Sequence, residues 1–294
     1  MLGIIEGLIS IAKDLVSIAE SVCKHSNKEK RLSHEQVVSL IRDYAKDICD
    51  DSPIVQLPAI EALIKLAEQF EEVRRDICNI LCMFLVADSK SIIFAETKTN
   101  SANFYKVLHI LFSSDSIFGT YKKDISNCHF RRVKLISFLF EDTIMTNCKF
   151  SECYFTKITF RNCQLNGVTM QDCNMKDNVS FTDCKMAGAV INNLYGRDVT
   201  FGNTSLQSSH IIGSTFYKTK FDGVTFFQSH IPNSCFLHCT FIREDLAFCH
   251  FKGVKFEYNR KYNKDIEAMT TYLSSLCIKY SVSTTGKTTT IQVG

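Results

Sequence analysis

The sequence predicts a mainly β protein: a four-sided, parallel β-helix preceded by an α-helical N-terminal domain and capped by a C-terminal helix. Two observations support this fold class. Large apolar residues recur every five positions between residues 125 and 259, and every fourth member of the series has a similar shape. Before and after this region, apolar residues follow helical spacing instead. A period of five fits neither an α-helix nor an alternating strand, so we expect one corner every five residues.

The five-residue series has a single interruption. It runs from Phe130 to Met175 in steps of five, slips by one residue near Asn178, and continues from Phe181 to Phe256. Gly196 is the only centre in the series that is not large and apolar. Four right-angled corners close a square, which predicts a coil of twenty residues. Residues 125 to 259 would then form nearly seven coils.

A twenty-residue coil stacks every fourth centre on the same side of the square. Similar side chains pack well when they repeat at a rung spacing of about 4.8 Å. One side of the predicted coil holds only phenylalanines once the single slip is counted, and we expect them to form a core ladder: Phe140, Phe160, Phe181, Phe201, Phe221 and Phe241.

The position two residues before each centre favours small or β-branched residues, and eight of the fourteen cysteines occupy it. A zinc site needs about four converging ligands, whereas this spacing places cysteines in pairs on different sides of the coil. We therefore predict no metal site and interpret these cysteines as small buried groups.

This pattern of a large apolar centre with a small residue two positions earlier resembles that of the pentapeptide-repeat family of bacterial proteins. The resemblance covers about 135 residues and implies a right-handed quadrilateral β-helix. A second resemblance concerns the segment Leu57-Pro58-Ala59-Ile60-Glu61-Ala62-Leu63, with Val73-Arg74-Arg75 and Leu81-Cys82 after it. It is similar to the HEAT-like helix pair that precedes the β-helix in many of these proteins.

Apolar spacing and capping signals predict the helices. The expected helices are residues 2–24, one opening at Ser33 with a capping box and reaching about Cys49, one beginning at Pro58, one from Glu72 to about Val86, one from Asn103 to Phe112, and a C-terminal helix after Asn263. We expect a loose, threonine-rich tail from Ser281. The predicted domains are residues 1–120, 121–260 and 261–294.

Composition indicates a cytoplasmic protein. The N-terminus has no positively charged region before its apolar run, as a signal peptide would, and no stretch is apolar enough to predict a transmembrane helix. The cysteines are then expected to be reduced thiols. Two alternatives stay open: the first helix could lie on a membrane surface, and the protein could be a bacterial effector delivered into a host.

No catalytic, cofactor-binding or metal-binding residues are predicted. Gly286-Lys287-Thr288 lacks the earlier glycine of a phosphate-binding loop, because Ser281 stands at that position. Five histidines fall at outward positions, where exposure is expected. Glu244 falls at a small inward position of a last rung, where solvent or a partner could accommodate it. A basic cluster could bind anions or only protect the end of the solenoid: Lys122, Lys123, Arg131, Arg132 and Lys134.

The favoured function is a non-enzymatic scaffold that binds an unidentified protein through its outward faces. The family resemblance adds an alternative, since some members imitate duplex DNA and bind DNA gyrase to protect it. Such mimicry needs a negative rod. Residues 121–260 instead carry 17 Lys and Arg against 12 Asp and Glu, a net charge of +5. Direct binding of nucleic acid is not predicted, and a homodimer stays open.

Overall fold

The structure is a computed structural model and describes residues 32–90, 99–242, 248–259, 263–275 and 277–294. The predicted helix 2–24 and Glu244 lie outside these residues. The chain divides into two compact units, Met1–Ser91 with Ser101–Asp124 and Ile92–Asn100 with Ile125–Gly294. Among the helices described, none combines the length and apolar character needed to cross a membrane.

The first unit is helical. Its elements are α1 (His34–Asp47), α2 (Pro53–Gln69), a 3-10 turn (Glu71–Val73), α3 (Arg74–Lys90) and α4 (Ala102–Phe112). Each α-helix packs on the next one in sequence. The predicted capping box is confirmed, because the Ser33 hydroxyl accepts a hydrogen bond from the backbone N–H of Gln36 while the Gln36 side chain accepts one from Ser33.

The predicted start of α2 is wrong. The helix begins at Pro53, and Pro58 lies inside it. Proline is favoured at the first helical position because its missing N–H would have no partner there. Pro58 cannot donate to the carbonyl of Ile54 one turn earlier. The Ile54 side chain is 83% exposed, so this early turn lies where water can reach the carbonyl.

The second unit contains a parallel, four-sided β-solenoid of about six turns, which confirms the predicted fold. Sheet 1 contains β1 (His129–Arg131), β4 (Lys149–Ser151), β7 (Thr169–Gln171), β10 (Val190–Asn192), β13 (His210–Ile212), β16 (His230–Pro232) and β19 (His250–Lys252). The parallel part of sheet 2 contains β2 (Lys134–Ile136), β5 (Tyr154–Thr156), β8 (Asn174–Lys176), β11 (Tyr195–Arg197), β14 (Thr215–Tyr217), β17 (Cys235–Leu237) and β20 (Lys255–Asn259).

Sheet 3 completes the third side, and single bridges make the fourth. Sheet 3 contains β3 (Leu139–Glu141), β6 (Thr159–Arg161), β9 (Val179–Thr182), β12 (Val199–Gly202), β15 (Lys220–Asp222) and β18 (Thr240–Ile242). The fourth side is a row of parallel bridges through Ile144, Gln164, Lys185, Ser205 and Thr225. Each bridge joins residues twenty positions apart, or twenty-one across the slip.

The six phenylalanines of the predicted ladder lie in one column along sheet 3. We call them the phenylalanine column: Phe140, Phe160, Phe181, Phe201, Phe221 and Phe241. Neighbouring ring centroids are 4.6–5.3 Å apart and the ring planes differ by at most 12°. Parallel strands set this spacing, so each ring stacks on its neighbours wherever the backbone stays in register.

The corners of the coil depend on residues with positive φ. At the corner after sheet 3, φ lies between 46° and 54° at Asp142, Asn162, Asp183 and Asn203, and is 66° at Gly223. Asparagine, aspartate and glycine are the residues that adopt this left-handed region most readily. Side chains also join successive corners, since the Asn203 amide donates to the Asp183 carboxylate at 3.2 Å. The polar corner residues therefore set the turn as well as facing water.

The one-residue slip is absorbed at a corner. Asp177 and Asn178 both have positive φ, 57° and 66°, whereas one such residue suffices at the equivalent corner of other coils. After this point Thr159 pairs with Ser180, twenty-one positions later, and the inward series continues unchanged. The additional residue, Asn178, is therefore accommodated at the corner with positive φ, and the inward positions of the following coils are unchanged.

The missing side chain at Gly196 is compensated by Leu194. A Cβ atom at Gly196 would lie 3.2 Å from the Phe216 ring and 3.3 Å from Leu194. Leu194 is buried and occupies the position where other coils have a smaller residue. In this coil Leu194, two positions before the centre, provides the large side chain that Gly196 lacks, so the interior remains filled.

The predicted loose tail is wrong. After α5 (Asn263–Ser275), strands β21 (Tyr280–Thr285) and β22 (Thr288–Val293) form a hairpin that extends sheet 2 antiparallel to β20. Gly286 has φ of 60°, which suits the two-residue turn between the strands. Ile291 and Val293 are buried, so burial of this alternating strand orders a segment that is rich in threonine.

Truncation of one ring of the phenylalanine column should destabilise the solenoid strongly. Phe201 is 2% exposed and stacks on a ring above and a ring below. We expect Phe201→Ala to lower the free energy of unfolding by about 3–5 kcal/mol, because it removes these contacts and leaves a cavity. Thr200→Ala, on the outward side of the same strand, should change it by about 0.5 kcal/mol or less. Chemical denaturation followed by circular dichroism measures both, and equal effects would contradict the stacked core.

Candidate interaction surface

The outward side of sheet 2 is rich in exposed aromatic and aliphatic side chains. In each three-residue strand the middle residue points inward and its two neighbours point outward. Among these outward residues Ile136 is 56% exposed, Tyr154 52% and Tyr195 41%. We call this surface the tyrosine face: Lys134, Ile136, Tyr154, Thr156, Asn174, Lys176, Tyr195, Arg197, Thr215, Tyr217, Cys235, Leu237, Lys255 and Glu257.

Cations hold Tyr217 in place on the tyrosine face. The Arg197 guanidinium lies 5.9 Å from the Tyr217 ring centroid, and the Lys218 ammonium lies 5.3 Å from it. The His238 ring meets the same ring edge to face at 5.8 Å. Cation–π contacts at exposed sites contribute about 0.5–1 kcal/mol each. Tyr217 is therefore pre-ordered although it is only half-buried.

A cleft of about 620 Å³ opens beside Tyr217, where the tyrosine face meets the corner before sheet 3. Its lining residues are Tyr217, Lys218, His238, Cys239, Thr240, Tyr258, Asn259 and Asp265. At its edge Glu257 accepts a hydrogen bond from the Lys255 ammonium at 2.9 Å and lies 3.5 Å from His238 Nε2. The cleft thus adds a recess with aromatic and charged groups to an otherwise flat surface.

The tyrosine face is basic. Its cationic side chains are Lys134, Lys176, Arg197 and Lys255, whereas Glu257 is its one carboxylate. Glu257 is already paired with Lys255, and this contact raises the pKa of Lys255. A partner surface with negative charge would therefore be electrostatically complementary.

The predicted basic cluster is divided between the two units. Lys122 and Lys123 belong to the helical unit, and Arg131, Arg132 and Lys134 belong to the solenoid unit. Lys123 is buried, donates to the Tyr121 carbonyl at 3.0 Å and lies above the Phe112 ring.

Two of the solenoid arginines in that cluster share one carboxylate. Arg132 Nε donates to Glu152 at 2.9 Å, and Arg131 lies 3.7 Å from the same carboxylate. The hydrogen bond from Arg132 holds the pKa of Glu152 below its usual range. Lys122 and Lys134 are exposed. Anion binding by these five residues stays a prediction.

The cysteines of the small inward position form hydrogen bonds between coils. Cys153 Sγ donates to the Phe130 carbonyl at 3.3 Å, one coil earlier. Serine makes the same contact, since Ser209 donates to the Met186 carbonyl at 3.1 Å and accepts from the Ala189 N–H. Cysteine and serine share this position because each is small and has a short donor. Within the described ranges, no three His, Cys, Asp or Glu side chains are grouped to hold a metal ion.

The tyrosine face was missed in the sequence, although the signal was present. Tyr154 directly precedes a centre, and so does Tyr195 two coils later, whereas Tyr217 directly follows one. The twenty-residue spacing that groups inward residues on one side of the coil groups outward residues equally well. The Lys218 and His238 contacts with Tyr217 cross a corner, and the five-residue period alone does not indicate them.

Buried thiols should resist alkylation in the native protein. Burial raises the pKa of Cys239 to about 12, so at pH 8 only about one molecule in ten thousand carries the reactive thiolate. Cys277 is exposed. We expect iodoacetamide to modify Cys277 within minutes and Cys239 only after unfolding, as measured by peptide mass spectrometry. Equal rates for the two in native protein would show that the interior is open.

Comparison with known proteins supports the repeat. The family model for pentapeptide repeats matches residues 140–185, in nine copies. No curated protein sequence matches the chain.

The solved structures that match are distant in sequence and superpose poorly. QnrB1, described as a plasmid-mediated fluoroquinolone resistance protein, is 15% identical, with coverage of 48% of this chain and 97% of that one, and a TM-score of 0.21. HetL, a pentapeptide repeat protein involved in heterocyst differentiation regulation in the cyanobacterium Nostoc, is 7% identical, with coverage of 45% and 88% and a TM-score of 0.19. Rfr23, from the cyanobacterium Cyanothece, is 9% identical, with coverage of 45% and 86% and a TM-score of 0.20.

The identification therefore rests on the family model and on the coil itself. The family model matches a segment that forms twenty-residue coils with one corner every five residues. The same geometry continues before and after that segment in the chain. The resemblance seen in the sequence is confirmed: residues 140–185 match the family model for pentapeptide repeats, and the same coil continues before and after them.

Proposed function

We propose that this pentapeptide-repeat protein is a non-enzymatic scaffold that binds a protein partner through the tyrosine face. The observation that supports the proposal is the concentration of exposed Tyr154 and Tyr195 and half-buried Tyr217, together with Arg197, on one sheet. Tyrosine and arginine are the side chains that most often dominate the binding energy of protein interfaces. The basic charge of the face favours a partner with an acidic surface.

The rigidity of the solenoid supports this proposal. Apart from those on the edge strand β2, the outward side chains are attached to strands that pair with a neighbouring strand on both sides, and Tyr217 is held by Arg197 and Lys218. A surface that is ordered before binding loses little conformational entropy when the partner docks. A few tyrosines can then provide specific binding from a modest area.

The chemistry of the cleft supports a non-enzymatic function. Its thiol, Cys239, has a pKa raised to about 12 by burial and is therefore a poor nucleophile at neutral pH. His238 faces Glu257, which already accepts a hydrogen bond from Lys255. The solenoid interior is filled by stacked rings such as Phe216 and Phe236. We propose that the cleft receives a side chain of the partner.

The charge of the solenoid argues against imitation of DNA. A DNA mimic presents carboxylates where duplex DNA has phosphates. Residues 121–260 have a net charge of +5, and the tyrosine face presents four cations with one carboxylate. We also propose a reducing, cytoplasmic location, which fits the free thiols at Cys153, Cys163 and Cys239.

Substitution of two tyrosines should strongly reduce partner capture. We expect Tyr154→Ala with Tyr195→Ala to lower the yield of cross-linked partner at least about tenfold, since each interface tyrosine can contribute about 2 kcal/mol. The matched control is Thr159→Ala with Thr200→Ala, which alters the outward side of sheet 3 on nearby coils. Photo-cross-linking in cell extract with quantitative mass spectrometry measures the difference. If both double variants capture the same proteins in the same amounts, the tyrosine face is not the binding surface.

A supercoiling assay separates the scaffold from the gyrase-binding alternative. We expect purified full-length protein to leave the rate of DNA supercoiling by gyrase unchanged and to give no protection against a fluoroquinolone, because the solenoid lacks the negative potential that mimicry needs. The relaxed-to-supercoiled conversion of plasmid on agarose gels measures the effect, with serum albumin as a control protein. Inhibition or drug protection at micromolar concentration would support the alternative instead.

A further inference from the structure

Three histidines form a column on the outward side of sheet 1. His210 pairs in register with His230, and His230 pairs in register with His250. Their ring centroids are 5.9 Å and 6.0 Å apart, and all three side chains are exposed. We call these residues the histidine column. Neither the repeat nor the proposed protein docking explains why three imidazoles follow one another on adjacent rungs.

The positions beside the first pair on its own strands, and at the corners before them, are uncharged. On the same outward side the neighbours of His210 and His230 are Ile212 and Pro232. Residues at the preceding corner are Ser208 and Gln228. Positive charge that would repel a cation is thus absent from these four neighbouring positions. His250 differs, because Lys252 lies two residues away on the same outward side.

We propose that the histidine column binds a divalent transition-metal ion, such as Ni²⁺ or Cu²⁺, through two imidazole nitrogens from adjacent rungs. Neutral imidazole suits these ions. Two imidazoles that bind one ion at about 2.1 Å place their ring centroids roughly 4.5–6.5 Å apart. The observed 5.9 Å and 6.0 Å lie within that range. Rotation of exposed side chains can direct the nitrogens toward one ion without movement of the strands.

The site has two protein ligands rather than three. Among the residues that the structure describes, no group of three or more His, Cys, Asp and Glu encloses an ion position. The strands also place His210 and His250 two rungs apart, about 9.6 Å along the solenoid. One ion therefore bridges His230 with either His210 or His250, and water completes its coordination. His230 belongs to both pairs, so it is the residue on which binding depends.

Nickel titration of histidine variants tests this site. Tag-free, reduced, full-length protein is titrated with NiCl₂ by isothermal titration calorimetry. We expect wild-type protein to bind one Ni²⁺ at the column, and His230→Asn to weaken binding about tenfold or more because it removes both pairs. His250→Asn should retain binding within about threefold, because the His210–His230 pair remains. His210→Asn should weaken binding more than His250→Asn but less than His230→Asn, because the remaining pair lies beside Lys252. His129→Asn is the matched control, since His129 lies in the same outward row but pairs with Lys149.

The pattern across the variants decides the outcome. Wild-type affinity weaker than about 1 mM, or equal affinity of His230→Asn and His129→Asn, would overturn the proposal. Equal loss in all three column variants would overturn the two-imidazole site in favour of a three-ligand one. The far-ultraviolet circular dichroism and thermal midpoint of each variant should match wild type, so that loss of binding is not loss of the fold. Because protein docking is proposed for sheet 2, failure here would leave the tyrosine face untouched.

Discussion

Registration of successive coils is the constraint on which the rest of this structure depends. In the described strands of the solenoid, residues after the first coil pair with the residues twenty positions earlier, or twenty-one across Asn178, and parallel strand spacing fixes the separation. Along its sheet, an inward side chain is therefore flanked by the residues that occupy the same position in the neighbouring coils. The phenylalanine column exists because flat rings repeat well at this spacing, with centroids 4.6–5.3 Å apart. Corners with positive φ keep the register, since each turns the chain after the same number of residues.

Because side chains fill the interior of the coil, binding sites are expected on its outward faces. The same stacking that buries phenylalanines inside arranges outward side chains in straight rows on rigid sheets. On sheet 2 this produces the tyrosine face, and on sheet 1 it produces the histidine column. Sheet 3 is different, because its outward residues include Thr159, Ser180 and Thr200. Chemical differences between the faces, rather than a pocket in the core, therefore indicate where partners and ions would bind.

The core was predictable from sequence because its signal is periodic and local. Centres five residues apart and their similarity every twenty residues were enough to define four sides and the column from Phe140 to Phe241. The corner residues were less visible, because Asp142 and Asn162 look like ordinary surface polar residues until their φ angles are known. The hairpin at residues 280–293 was missed because its strands have threonine where strong strand signals would have large apolar residues. Pro58 was misplaced because Pro53 offered the same helix-start signal five residues earlier.

The candidate surface was harder to predict than the core, and for a physical reason. Burial restricts residue types at inward positions, whereas outward positions tolerate almost any polar or aromatic side chain. Tyr154 and Tyr195 can be recognised as parts of one surface only when the coil places them on the same face. The contacts of Tyr217 with Lys218 and His238 depend on corner geometry, which the period does not specify.

Distances between spin labels along sheet 1 test the registered coil most directly. Labels are introduced in pairs at Lys149 with His230 and at Lys149 with His250, after replacement of Cys23, Cys49, Cys235 and Cys277 by serine. These pairs are four and five rungs apart. Pulsed electron paramagnetic resonance should give mean separations of about 19 Å and about 24 Å, an increase of about 4.8 Å for twenty further residues. Separations that do not increase by one strand spacing per twenty residues would contradict the stacked coil.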